Sequence, residues 1–211
     1  MRVMLLGATG LVGGQALRLL LDDPRCAGVV APGRRPLELQ HAGLHAPVLD
    51  FDALPSAPAW AGVDAVICAL GTTIAQAGSR EAFRRVDHDY PLAFARLARA
   101  QGARAFVLNS AAGASAGSPI FYSRVKGELE NDLRALAFPS LTFVRPGLIG
   151  GDRQHVRRGE QLAARVLRAL GPVLPRAWRI NPAPVIASAL VEGALDMREG
   201  EQRVPSHELV G

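Results

Sequence analysis

Tyr122 and Lys126 stand four residues apart in the run Tyr122-Ser123-Arg124-Val125-Lys126. At that spacing two side chains project from one face of a helix. A phenol beside an ammonium makes a proton donor and acceptor, because an unperturbed tyrosine titrates near ~10 and a neighbouring positive charge favours the phenolate. Such a pair suits hydride transfer to or from a carbonyl, whose oxygen needs a proton donor near neutral pH. The lysine is unusual in its setting. The chain has 24 basic residues, and Lys126 is the only lysine among them. Arginine is a planar fork and lysine a compact ammonium on a flexible stem, so a position that stays lysine calls for something arginine does not supply. The same residues also fit an amphipathic helix with a surface lysine, for which Glu130, one turn on, is an ion-pair partner.

A second constellation opens the chain. Gly7-Ala8-Thr9-Gly10-Leu11-Val12-Gly13 follows a short apolar run and precedes a helical pattern. Glycines there let the backbone turn tightly and approach a pyrophosphate, and the helix start offers unpaired N–H groups to it. The end of the next strand bears on which dinucleotide. An NAD site usually carries an acid for the ribose 2′-hydroxyl. Here the run is Ala31-Pro32-Gly33-Arg34-Arg35, with no acid and two arginines, which suits the 2′-phosphate of NADP(H). Asp50-Phe51 is expected at the adenine edge, although Asp50 also reads as a turn residue. Leu70, Gly71 and Thr72 are expected along the dinucleotide, and Pro146 and Gly147 against the nicotinamide amide. Ser110 closes a strand-like run and is expected to hold the substrate oxygen beside Tyr122; Ser115, farther into the loop, is a weaker substitute.

The elements that must position these residues are short apolar runs alternating with helical stretches. Strands are expected at Arg2–Leu6, Gly28–Ala31, Ala46–Leu49, Ala65–Leu70, Ala105–Asn109 and Leu141–Val144. Helices are expected at Leu11–Leu21, Arg80–Ala100, Tyr122–Leu136, Glu160–Leu170 and Pro184–Asp196. The alternation predicts an α/β fold, a doubly wound parallel sheet with helices on both faces. In such sheets ligands bind at the carboxyl ends of the strands, where all the candidate residues fall. The 211 residues suit one domain, with 150–200 as a small substrate-side region of helix and loop. The last dozen residues are expected to fray.

Composition narrows the partners. No apolar run approaches a membrane span and the start has no signal-peptide cleavage pattern, so a cytoplasmic location is expected. Two cysteines and five scattered histidines offer no metal spacing. The net charge is +5, but the arginines are interleaved with acids and aromatics are 5% of the chain, which argues against nucleic-acid binding.

The glycine spacing, Ser110 and the Tyr122–Lys126 pair together resemble the short-chain dehydrogenase/reductase superfamily in its atypical branch. The match is nearest to the Tat-interacting-protein-like subgroup. It is carried by Gly33-Arg34-Arg35, Cys68-Ala69-Leu70-Gly71-Thr72-Thr73, Arg85-Val86-Asp87-His88-Asp89-Tyr90, Tyr122 to Glu128, and Arg145-Pro146-Gly147 with Asp152-Arg153-Gln154. The resemblance implies a Rossmann fold, NADP(H) binding and a Ser110–Tyr122–Lys126 catalytic set. The family's catalytic asparagine is not evident, and Asp87 lies in its neighbourhood. About 60 residues follow Gly150, fewer than the substrate domain of extended members. Two functions are therefore expected: an NADP(H)-dependent oxidoreductase on a small carbonyl or alcohol, or an NADPH-binding regulator acting through a protein partner or homodimer. A nucleotide-sugar epimerase or dehydratase fits the glycine spacing but lacks the domain it would need. His155, Arg157, Arg158, Trp178 and Arg179 form an expected pocket wall without a recognisable pattern.

Overall fold

The structure is a computed structural model describing residues 1–56, 58–150 and 180–210. The expected helix Glu160–Leu170, the pocket-wall residues and the Asp152-Arg153-Gln154 segment lie outside the described residues.

The first strand, β1 (Arg2–Leu6), buries Val3 to Leu6 completely, as a central parallel strand covered on both faces must. It leads through the glycine turn into helix α1 (Leu11–Asp22). Strands β2 (Gly28–Val30), β3 (Leu44–His45) and β4 (Ala65–Cys68) follow. Next come the short helices α2 (Ile74–Ala77) and α3 (Arg80–Arg84), each begun by a hydroxyl, Thr73 or Ser79, that accepts a backbone N–H of the first turn. Helix α4 (Tyr90–Ala100), β5 (Ala105–Asn109), α5 (Phe121–Ala135) and β6 (Ser140–Arg145) complete the alternation. Beyond them are β7 (Ile149–Gly150), β8 (Asn181–Pro182), α6 (Ala183–Asp196) and β9 (Gly200–Pro205).

Among the described residues seven of these strands form a parallel sheet in the order β3-β2-β1-β4-β5-β6-β9, and β7 and β8 pair separately. The order reverses between β1 and β4, which is where a doubly wound sheet opens its ligand crevice. One core packs α4 and α5 on the face carrying Leu6, Cys68, Phe106 and Leu108. The other packs α1 and α6 on the face carrying Leu5, Ile67 and Val107. Each such side chain taken wholly out of water contributes about 1.5–3 kcal/mol.

Three expectations change. The third strand lies at Leu44–His45 rather than Ala46–Leu49, with only a bridge between Gly33 and Val48 farther on. Pro47 interrupts it, since proline has no N–H for a ladder. The stretch Arg80–Ala100 is not a plain α-helix: Arg85–Asp89 form a π-helical turn in which the N–H of Tyr90 bonds the carbonyl of Arg85. And the last dozen residues do not fray as a block. Gly200–Pro205 pairs with β6 in parallel, from Ser140 opposite Gly200 to Arg145 opposite Pro205. Its polar sequence hides an edge strand, which needs no apolar face toward solvent.

Candidate active site

The crevice at the switch point begins at the turn after β1. Gly7 has φ +86°, and a side chain on it would strike the Ala69 backbone at 2.8 Å. A Cβ on Gly13 would lie 2.0 Å from the Gly7 carbonyl oxygen. Both positions therefore exclude any larger residue. Gly10 starts α1, with no side-chain cap and no acidic residue in the first turn. Its unpaired N–H groups and dipole end suit an anion. A crevice of about 340 Å³ lies over this turn, its walls including Thr9, Gly10, Arg34, Leu70, Gly71 and Thr72. No acidic side chain lines it among the described residues. Val12 is buried in the core and Leu11 packs against it; as first-turn residues of α1, they have backbone N–H groups with no intrahelical acceptor. This cradle fits a dinucleotide pyrophosphate, with Arg34 on the wall for added negative charge.

The other expected cofactor residues divide. Arg35 is exposed and is not part of the crevice wall. Asp50 accepts the N–H of Asp52 at 2.9 Å and so closes its own turn. Phe51 is buried, packed edge-on against Tyr90 and Phe94. Pro146 is buried, and its carbonyl takes the N–H of Ala112. The N–H of exposed Gly147 donates to Asn181 Oδ1 at 2.6 Å. Sequence reasoning missed Asn181. Fully buried, it also donates to the Ser206 and Leu209 carbonyls and receives the Ser206 hydroxyl, so the C-terminal segment pins the loop after β6. The only sequence signal was an amide side chain beside a proline at the start of an apolar helix.

Lys126 departs from the surface-lysine alternative. It is 3% exposed, and its Nζ lies 2.9 Å from Oδ1 of Asp87, itself 1% exposed. The contact is a close ion pair, and Oδ1 takes no donor besides this ammonium. Asp87 Oδ2 accepts the backbone N–H of Thr72 at 2.8 Å. Burial works against the ammonium, but Asp87 and Tyr122 outweigh it and hold the lysine above its ordinary value. The Cys68 thiol beneath is pushed up to about 11 by burial, against the pull of Lys126.

Tyr122 is 39% exposed, and its ring packs at a tilt on Phe83 with centroids 5.8 Å apart. Ser110 and Tyr122 are not joined by a hydrogen bond. The Ser110 hydroxyl, buried, donates to Glu130 Oε1 at 2.6 Å. Glu130 is not the partner of Lys126. It faces Arg145, which holds both its oxygens, and Arg134 at 3.5 Å. One helix therefore sends a lysine and a glutamate, a turn apart, into two separate buried charge clusters.

Chemically the arrangement offers a phosphate cradle, an ammonium near a partly exposed phenol, and a serine committed elsewhere. Among the described residues no group of acidic, histidine or cysteine side chains could hold a metal, and no helix is long and apolar enough to cross a membrane.

Comparison with known proteins agrees with this geometry. A family model described as NAD(P)H-binding matches residues 7–165. Protein HTATIP2 of Rattus norvegicus is 35% identical over 209 residues, covering 96% of this chain and 84% of its own. The mitochondrial protein fmp52 of Emericella nidulans is 35% identical over 212 residues, covering 94% and 89%. MoeE5, solved with UDP-glucose and NAD, superposes with a TM-score of 0.74 at 17% identity, covering 97% of this chain and 75% of that one, a likeness of fold.

Proposed function

The chain belongs to the NAD(P)H-binding family, as an atypical short-chain dehydrogenase/reductase of the HTATIP2 type, and from that premise we propose that it is an NADP(H)-dependent reductase of a small carbonyl compound. The observation that carries the reading is the glycine crevice with Arg34 in its wall and, among the described residues, no carboxylate lining it to meet a ribose 2′-hydroxyl. A guanidinium there suits the 2′-phosphate, so NADP(H) is preferred over NAD(H).

Bound NADPH supplies the hydride. The α1 N–H groups and the turn from Gly7 to Gly13 would hold the pyrophosphate. Lys126 keeps donors for the ribose hydroxyls while Asp87 balances its charge. Tyr122, partly exposed at the start of α5, would hold the proton that the substrate's carbonyl oxygen needs. The loop of Pro146 and Gly147 would lie on the nicotinamide side, with the Gly147 N–H already donated to Asn181. Ser110 is the weakest member of the set, because its hydroxyl is already donated to Glu130 and can meet a substrate oxygen only by leaving it.

That commitment favours a second reading, an NADPH-binding regulator with little turnover that works through a protein partner or a homodimer. Both readings take the chain as a single domain with residues 150–200 on the substrate side. They take it as cytoplasmic, against which stands the word mitochondrial in the name of the fmp52 relative; cell fractionation decides. The experiment that separates the functions is a panel of aldehydes and ketones followed by NADPH oxidation, in the wild type and in Tyr122→Phe. Turnover that Tyr122→Phe abolishes supports the reductase. NADPH binding without turnover on any carbonyl supports the regulator, and turnover that survives Tyr122→Phe removes the role given to the tyrosine.

A further inference from the structure

The π-helical turn Arg85–Asp89 is the one irregularity in the helices that cover the α4/α5 face, and three side-chain bridges tie it and its flank to α5: Arg84 to Glu128, Asp87 to Lys126, and His88 to Asp132 at 2.9 Å. The extra residue of a π-turn shifts which side chains face inward, and such turns recur at functional sites. Here it buries two successive polar residues, Asp87 and His88. The first bridge joins two partly exposed groups, Arg84 at 42% and Glu128 at 31%, and the last joins buried His88 to Asp132, which is 48% exposed. Only the middle bridge is closed to water on both sides, at 1% and 3%.

We propose that Asp87 is the positioning residue of the site: its two carboxylate oxygens fix the Lys126 ammonium and the Thr72 backbone N–H to each other, so that the lysine and the crevice loop are set as one unit. The division of labour follows from the oxygens. Oδ2 is taken by Thr72, which lines the crevice, and Oδ1 faces Lys126 with no other donor. A lone ammonium this deep would lose its proton or its place, since burial disfavours charge. The titratable groups around it are Asp87, Tyr122 and Cys68, and of these Asp87 makes the closest charge pair. Aspartate is needed because an amide of the same shape offers Lys126 a dipole in place of a charge. This rests on reading Lys126 as a cofactor-side residue, but the pairing can be tested without any cofactor.

The chain has a single lysine, so protein labelled with ¹⁵N or ¹³C at lysine gives one side-chain signal, which belongs to Lys126. Its titration is followed by NMR in the full chain. In the wild type the amine should titrate above the ordinary lysine range. In Asp87→Asn it should fall by about 1–3 units, the usual reach of an opposite charge at this distance. Asp87→Glu, which keeps the carboxylate, should restore most of the shift. An Asp87→Asn titration equal to wild type would overturn the proposal. If Asp87→Asn does not fold, the double variant with Lys126→Met decides: recovered folding supports the pairing, and a double variant no better than the single refutes it. NADPH binding is then read separately. Asp87→Asn should raise the NADPH dissociation constant about tenfold or more, the loss of one well-placed charged contact. A wild type that binds no NADPH would sink the proposed function and leave the lysine result standing.

Discussion

Helix α5 carries two buried charges one turn apart, and they are satisfied to different degrees. Glu130 is saturated: Ser110 and Arg145 bond its oxygens and Arg134 stands beside it. Lys126 has a single acid partner, Asp87. A saturated buried charge is a structural part whose removal leaves its partners orphaned. Lys126 reaches the crevice only through Asp87, whose second oxygen accepts the N–H of Thr72 on the crevice wall. The proposed function gives the Glu130 side to stability and the Lys126 side to ligand binding.

The largest effect expected tests the reactive end of that division. Tyr122→Phe should lower carbonyl turnover by about 100- to 10,000-fold, the usual worth of a positioned proton donor, while leaving NADPH affinity within about threefold. Steady-state rates beside a binding isotherm measure both, and equal losses in the two would erase the distinction.

Glu130→Ala probes the saturated cluster. It should cost about 3–5 kcal/mol in urea unfolding, since Arg145 and Ser110 lose their shared partner. At temperatures where the variant is folded, its ratio of NADPH to NADH affinity should match the wild type. A variant as stable as wild type would show that the cluster is not the brace described.

A smaller change comes from the crevice wall. Arg34→Ala should weaken NADPH by about 1.5–3 kcal/mol, roughly 10- to 150-fold, and NADH hardly at all. Arg35→Ala should do less, because Arg35 is not on that wall. Parallel loss of both nucleotides would remove the 2′-phosphate contact.

The smallest effect lies at the sheet edge. Arg134, against burial and with help from Arg203, holds Glu201 down to about 2. A folded value below the unfolded one gives stability that is present above the ordinary glutamate range near ~4.3 and lost as pH falls toward 2. The pair is partly exposed, so the loss should be under about 1 kcal/mol. Glu201→Gln should flatten that part of the acid-unfolding profile; an unchanged slope would leave β9 held by its ladder alone.

How much of this was legible beforehand varies with the range of the interaction. Arg2–Leu6 and Ala105–Asn109 are strands with the ends expected of them, because a buried parallel strand is an unbroken apolar run. The phosphate turn was legible for the same local reason: its glycines are required by backbone approach within a few residues and across one strand. The partners of Lys126 and Glu130 were not. Helical spacing offers each to the other, yet Asp87 lies 39 positions before Lys126 and Arg145 lies 15 after Glu130, so only the packed sheet decides. The π-turn was hidden because its residues alone fit an α-helix, and β9 because an edge strand shows little apolar patterning. Ser110 was placed at the strand end as expected, but its side chain faces a carboxylate that the sequence did not bring near it.

The central claim is that the Gly7–Gly13 crevice with Arg34 takes a dinucleotide bearing a 2′-phosphate. Isothermal titration of the wild-type protein with NADPH and, separately, NADH tests it most directly. The account predicts one NADPH per chain and at least about tenfold weaker binding of NADH, the worth of one charged contact. No heat with either nucleotide, or equal affinities for both, would contradict it.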